Sequence, residues 1–111
     1  MTDQDRLNRI ELEGGKAWLL WRKGSGPTVE IYDIHVDGEV RRKGLGSEMV
    51  RLLIKKLPEG VNTVWAITRT SNEVAQLFYE RNRFYVSGVL RRFYLDESRA
   101  GADAIVYTRV V

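Results

Sequence analysis

Apolar and polar residues alternate along the first third of the chain, which is typical of β-strands. Leu7, Ile10 and Leu12 mark a first strand, and the segment KAWLLWRK that follows a glycine pair at 14–15 marks a second. The glycines predict the turn of a hairpin between them. A third strand is predicted over TVEIYDIHV. Its alternation slips between Ile31 and Ile34, as one extra residue, a β-bulge, would cause.

The hydrophobic period changes to that of a helix after the third strand. From Leu45 to Leu57 apolar residues recur at i, i+4, i+7, i+8 and i+12, and Pro58 ends the pattern. A second helix is predicted over SNEVAQLFYERN, where Ser71 and Asn72 are good N-caps.

Further strands are predicted over VNTVWAITRT, FYVSGVLRRFYL and ADAIVYTRVV, and DESRAG predicts a loop. The predicted order is therefore β-β-β-α-β-α-β-β. This order predicts an α/β fold with a mixed sheet, antiparallel at its start and with a parallel pair in its middle. A length of 111 residues predicts one domain over residues 1–111.

Composition excludes some chemistries and leaves others open. The chain has no Cys and a single His, His35, so neither a thiolate nor a multi-histidine metal site is expected. The net charge of +3 suits an anionic ligand as well as nucleic acid, and the basic residues are scattered. The sequence shows neither a signal peptide nor a long apolar run, so a cytoplasmic protein without a membrane segment is predicted.

The segment RRKGLG, residues 41–46, joins the third strand to the first helix. The first turn of a helix has free N–H groups and the positive end of the helix dipole, and glycines would let an anion approach. The segment predicts either a phosphate site or a basic turn. It lacks the spacing of a P-loop, and Met49 stands where a dinucleotide motif needs its third glycine.

Two motifs together resemble one family. Arg41-x-x-Gly44-x-Gly46 between a strand and a helix is similar to the acyl-CoA pyrophosphate motif of the GNAT superfamily of N-acetyltransferases. The segment NEVAQLFYE, followed closely by Phe84, is similar to a second signature of that family. The family usually has one or two helices between its first two strands. Only a glycine pair separates the first two predicted strands here, so the chain resembles a short member without the front helices.

The resemblance implies acetyl-CoA as cosubstrate, no metal, and a set of binding residues. The strand end would pair its backbone with the pantetheine amides, and the backbone amides of the following loop would hold the pyrophosphate. Asn72 would bind near the pantetheine or the thiol. The predicted cofactor-binding residues are Ile34, His35, Val36, Arg41, Arg42, Lys43, Gly44, Leu45, Gly46, Ser47, Asn72 and Tyr79.

The resemblance also implies catalytic residues. Tyr79 stands where the family often has a tyrosine that protonates the departing thiolate, and the alternative for Tyr79 is core packing. The acceptor ammonium must lose a proton before attack, so a base is needed. Glu30 is the first candidate for this base. Asp33 and His35 are rivals, since an imidazole titrates nearest to neutral pH. The alternative for each is an exposed strand residue.

The predicted function is acetyl-CoA-dependent transfer of an acetyl group directly to a primary amine. The alternative is a non-catalytic CoA-binding or interaction module of the same fold. A homodimer is an expected partner arrangement because the acceptor groove would be open, whereas no motif that reads nucleic acid is present. One departure concerns the turn after the second helix, where Arg83 replaces the family's glycine and is expected to need a positive φ.

Overall fold

The computed structural model describes residues 6–94 and 102–111 and confirms the predicted α/β order. The strands follow the order β1-β2-β3-β4-β6-β5 in one mixed sheet, with β3 and β4 as the parallel pair. The elements are β1 Asn8–Leu12, β2 Ala17–Lys23, β3 Thr28–Val36, α1 Leu45–Lys55, β4 Thr63–Arg69, α2 Glu73–Arg81, β5 Tyr85–Leu90 and β6 Ala104–Val110. Neither helix of the described residues is long and apolar enough to cross a bilayer.

The chain divides into two compact units, residues 1–64 with 111, and residues 65–110. In the first unit β1, β2 and β3 form an antiparallel meander. The turn between β1 and β2 is a single 3-10 turn, Glu13–Gly15, as the hairpin prediction requires. The predicted bulge is confirmed: Leu20 lies opposite Asp33 but Trp21 lies opposite Ile31, so Tyr32 is the extra residue in β3.

Helix α1 packs on one face of this meander. Met49, Val50 and Leu53 are buried on the helix, and its contacts are with β1, β2 and β3. The sheet contributes a row of buried apolar side chains at adjacent register positions, which are Ile10, Ala17 and Leu19. The helix ends at Lys55, two residues before the predicted Leu57, because the chain turns at Lys56 towards Pro58.

The second unit is built around aromatic rings. Tyr79 of α2 stacks on Tyr107 of β6, with 5.6 Å between ring centroids, and meets the edge of Phe84 at 5.2 Å. All three side chains are buried. Strand β5 ends at Leu90, earlier than predicted, because the next two residues form a turn in which Arg92 has a φ of 53°. The predicted loop at 96–101 lies outside the described residues.

A Schellman motif ends α2. The N–H of Phe84 donates to the carbonyl of Tyr79 at 3.0 Å, and the N–H of Arg83 donates to that of Glu80 at 3.1 Å. The residue just before Phe84 must have a left-handed conformation in this motif. That residue is Arg83, and its φ of 67° is positive, as expected. An L-residue other than glycine is strained in this conformation.

We expect Arg83→Gly to raise the free energy of unfolding by about 0.5–1 kcal/mol, because relief of the left-handed strain exceeds the extra entropy of glycine in the unfolded chain. Urea denaturation followed by circular dichroism measures the change. The control is Arg81→Gly at the last residue of α2, which has helical backbone to begin with and should therefore lose stability, by about 0.5 kcal/mol. A loss of stability in both variants would mean that the side chain of Arg83 matters more than its backbone strain.

Candidate functional site

The loop after β3 is held in place by backbone bonds and one buried side chain. The N–H of Val40 donates to the carbonyl of Asp37 at 3.0 Å, and Val40 itself is buried. Nε of Arg41 donates to the carbonyl of Val36 at 3.1 Å, which ties the start of RRKGLG to the end of the strand. The guanidinium of Arg41 therefore stabilises the conformation of the loop in addition to giving the loop a positive charge.

The next six residues, which we call the amide loop (residues 42–47), present unpaired backbone donors. None of their N–H groups donates a hydrogen bond to any part of the chain that the structure describes. Gly44 is the N-cap of α1, in the left-handed conformation with a φ of 72° and a ψ of 21°. Its carbonyl accepts the first helical bond, from the N–H of Glu48 at 3.0 Å. Donors that are free at the start of a helix form a typical anion site.

The geometry around Gly44 leaves room for a ligand. A Cβ atom added at Gly44 would meet no atom within 4 Å, so the glycine is required by its φ and not by crowding within the chain. The side chains of Arg42 and Lys43 are exposed, and neither forms an ion pair with a described residue. Arg42 also has a positive φ, 66°. The amide loop thus combines free donors, two free cations and an open approach.

The three residues at the end of β3 point to two sides of the sheet. Ile34 and Val36 lie opposite Leu19 and Ala17, on the side covered by α1, and are half-buried. His35 lies opposite Trp18 on the other side and is exposed. Only His35 of the three therefore offers its side chain to solvent.

The His35 imidazole has two partners within the first unit. Its Nε2 lies 2.6 Å from Oδ1 of Asp37, and its ring centroid lies 5.4 Å from that of Trp18. A carboxylate that bonds one ring nitrogen fixes the orientation of the imidazole. The sequence reasoning missed Asp37, although the His-x-Asp spacing along a strand end could have drawn attention to it.

Glu30 is in a different setting on the same strand. It is 9% exposed, and its Oε1 accepts from Nε of Arg22 at 2.7 Å. The same guanidinium lies 4.9 Å from the Tyr32 ring centroid. Glu30 is thus a buried, ion-paired side chain. Asp33 is exposed, and its Oδ1 accepts the N–H of Ile34 at 2.8 Å.

Asn72 and Tyr79 belong to the second unit. Asn72 is the N-cap of α2, as predicted, and its Oδ1 accepts the N–H of Ala75 at 3.0 Å. This bond leaves the side-chain amide nitrogen for other partners. Tyr79 is 5% exposed within the aromatic group already described. Burial raises the pKa of the neighbouring Tyr107 hydroxyl, and the Glu80 carboxylate, its hydrogen-bond partner, raises that pKa further.

No group of three or more potential metal ligands occurs among the described residues. The first unit offers the backbone donors of the amide loop and the exposed imidazole of His35, and the second unit offers the buried phenol of Tyr79.

Comparison with known proteins places these features in a family. The model of the acetyltransferase (GNAT) family matches residues 12–84. A ribosomal protein bS18-alanine N-acetyltransferase of Salmonella typhimurium is 35% identical over 77 residues, which is 68% of this chain and 51% of that protein. The protein of the same name from Escherichia coli K12 matches with the same identity and coverage.

Solved structures agree with this result. The ribosomal-protein-S18-alanine N-acetyltransferase of Escherichia coli has a TM-score of 0.76 and 26% identity, covering 96% of this chain and 70% of that one. A Bacillus subtilis acetyltransferase in complex with CoA has a TM-score of 0.75 over 86% of this chain and 69% of that one. Its identity is 22%, so this match concerns the fold alone.

The chain spans about half the length of the curated relatives it matches. The matched region nevertheless contains the amide loop, α1, β4 and α2, which carry both sequence motifs. The chain therefore belongs to the acetyltransferase (GNAT) family.

Proposed function

We propose that the chain binds acetyl-CoA and transfers the acetyl group directly to a primary amine. The observation that carries the proposal is the amide loop, six consecutive backbone N–H groups without a partner in the described chain, at the start of α1. These donors suit the pyrophosphate of CoA. Family membership supports this choice of anion over an unspecific phosphate.

The relatives support a protein as the source of the amine. Their name describes acetylation of an alanine of a ribosomal protein, and they are 35% identical to this chain over the matched region. We accordingly propose an amino group of a polypeptide as the acceptor. The homodimer and the cytoplasmic location inferred from the sequence stay predictions.

Acetyl-CoA, when bound, supplies the acetyl thioester. The amide loop would hold the pyrophosphate by hydrogen bonds from its backbone, and Arg42 and Lys43 would add charge. The predicted contacts of Ile34, His35 and Val36 with the pantetheine are part of the same proposal, as is the contact of Asn72. For Asn72 the side-chain nitrogen is the relevant atom, because its oxygen already caps α2.

Two proton transfers complete the proposed reaction. A base removes a proton from the acceptor ammonium, and the neutral amine then attacks the thioester carbonyl carbon. The C–N bond forms, the C–S bond breaks, and the hydroxyl of Tyr79 gives its proton to the thiolate. The new amide nitrogen gives up its second proton to solvent, and Tyr79 recovers a proton from solvent, so the net release is the one proton that the base took from the ammonium.

The geometry favours His35 over Glu30 as the base. His35 is exposed, and Asp37 holds its ring through a contact of 2.6 Å between Nε2 and Oδ1. Glu30 is buried, and one of its oxygens accepts from Arg22. We therefore propose that Glu30 holds Arg22 and the bulged part of β3, and that His35 receives the proton.

The first test concerns the amide loop. Gly44→Val places a β-branched residue at a φ of 72° and should weaken acetyl-CoA binding about tenfold or more, whereas Arg42→Ala should weaken it about threefold or less. Isothermal titration gives both dissociation constants. The matched control is Gly14→Val, since Gly14 also has a positive φ, 64°, with open space around it.

Gly14→Val should lower the melting temperature and leave the dissociation constant unchanged. If Arg42→Ala proved more harmful to binding than Gly44→Val, the site would be a charge patch and not a set of backbone donors.

The second test concerns Tyr79. Tyr79→Phe should lower kcat by about a hundredfold or more and leave the dissociation constant of acetyl-CoA unchanged, because only the proton donor is lost. Tyr107→Phe is the control, since it removes a hydroxyl from the neighbouring stacked ring. Equal activity of wild type and Tyr79→Phe would assign Tyr79 to the core. Binding without turnover in the wild type would favour the non-catalytic alternative.

The third test separates the two bases through kcat/KM and thermal stability. His35→Gln should lower kcat/KM by about a hundredfold and leave the melting temperature nearly unchanged, because an exposed proton acceptor is lost. Glu30→Gln should lower thermal stability, since Arg22 loses its charged partner, and should leave kcat/KM largely unchanged. A large loss of kcat/KM in Glu30→Gln but not in His35→Gln would reverse the assignment.

A further inference from the structure

Strand β5 is exposed on both faces. Val86 and Val89 lie opposite Tyr107 and Ile105 of β6, and both are more than half exposed, at 53% and 56%. Tyr85 and Leu90 project from the other face and are 53% and 40% exposed. Isolated apolar side chains at a surface are ordinary, but here each face of a six-residue strand carries two exposed apolar side chains.

The same strand ends the sheet. The strand order places β6 on one side of β5, and no strand of the described chain follows on the other side. An edge strand presents backbone N–H and carbonyl groups that another extended chain can pair with. Within residues 6–94 and 102–111, strand β5 therefore offers a partner both apolar side chains and an edge with no neighbouring strand.

Arginines stand at both ends of β5. Arg81 and Arg83 precede it, Arg91 and Arg92 follow it, and all four are exposed. None of the four forms an ion pair with a described residue, and residues 81–94 contain no Asp or Glu. The carboxylate of Asp103 accepts the backbone N–H of Arg92, at 2.8 Å. Among the described residues, the strand is thus an apolar segment between two positive ends that no ion pair neutralises.

A bulge restricts which partners the edge can accept. Ser87 is left out of the register between β5 and β6, and its hydroxyl lies 2.7 Å from that of Thr108. Bulges and charged residues at an edge discourage indiscriminate strand pairing. A partner at this edge therefore needs features that offset the arginines.

The arginines at the two ends of β5 argue against a second copy of the chain as the partner of this strand. A two-fold antiparallel pairing centred on β5 would bring Arg83 close to Arg91 and Arg92 of the other copy, and like charges across a strand pair are destabilising. A nucleic acid would match the arginines but would leave four apolar side chains and the backbone donors unused. An acidic polypeptide segment can pair with the arginines, cover the apolar side chains and form hydrogen bonds with the backbone of the edge strand.

We infer that β5 is a docking strand for an extended acidic segment of a protein partner, which adds to the sheet edge as a further strand. The segment would contain about six residues, since β5 is about 20 Å long, with apolar side chains in the middle and Asp or Glu at both ends. This surface would select a protein partner whether or not acetyl transfer takes place, so the inference goes beyond the proposed function.

Fluorescence anisotropy with a labelled peptide tests the inference on the whole chain. The probe has two Glu at each end and an alternating Val/Thr middle. It should bind, and its affinity should fall as salt is raised. A second peptide with Lys in place of Glu should not bind measurably. A third, with the acidic ends kept and alternate backbone amides methylated, should bind about tenfold more weakly because strand pairing is blocked.

Two variants and one control locate the site. The double variant Arg83→Glu, Arg91→Glu should weaken binding of the acidic peptide about tenfold or more. The double variant Val86→Thr, Val89→Thr should also weaken binding, because it replaces an apolar methyl group by a hydroxyl while it keeps the β-branched shape of each side chain. Lys55→Glu with Lys56→Glu makes the same change in net charge at α1 and should leave binding unchanged. Melting temperatures show that each variant is folded.

Four binding results would overturn the inference. They are equal binding of the acidic and basic peptides, full binding of the methylated peptide, an equal effect of the α1 variant, and preference for a single-stranded oligonucleotide over the acidic peptide. Concentration-dependent dimers that Val86→Thr with Val89→Thr abolishes would also overturn it, because a second copy would then occupy the strand. Acetyl transfer to a small amine is a separate readout, so failure here leaves the proposed function untouched.

Discussion

The packing of α1 against the β1–β3 meander is the constraint on which the amide loop depends. Met49, Val50 and Leu53 are buried on the helix, and Ile10, Ala17 and Leu19 are buried on the meander. This burial fixes the helix axis and so the direction of its first turn. The loop between β3 and the helix is short and is held at its base by Val40 and Arg41. The free N–H groups are therefore preorganised, and a ligand would not have to order them.

The positive charges of RRKGLG are the most visible feature of the sequence, but the structure gives them different roles. Arg41 is bonded to the carbonyl of Val36 and shapes the loop. Arg42 occupies a left-handed position, and its side chain and that of Lys43 are exposed. Exposed charges of this kind contribute modestly and are screened by salt. Fixed backbone donors at a helix start are neither flexible nor titratable, which makes them the better basis for a pyrophosphate site.

The order of elements, the bulge between Ile31 and Ile34 and a cap at Ser71 or Asn72 could be predicted because each leaves a local signature in the sequence. The positive φ of Arg83 could be predicted only from the resemblance, since the family has glycine there. The ion pair between Arg22 and Glu30 could not be predicted, since it depends on a register that the bulge itself shifts. The partnership of His35 with Asp37 depends on side-chain direction at a strand end. Tyr79 was ambiguous because the helical stripe that would carry a catalytic tyrosine is also the stripe that packs the core. The end of β5 was missed because Arg91 and Arg92 carry no turn signal.

The most direct measurement is an amide proton–nitrogen NMR titration of the chain with CoA, compared with pantetheine, which lacks the pyrophosphate. If backbone donors hold the pyrophosphate, the amide signals of residues 42–47 shift downfield with CoA and stay in place with pantetheine. Shifts confined to the guanidinium signals of Arg41 and Arg42, with the amide signals of the loop unchanged, would contradict a site made of backbone donors.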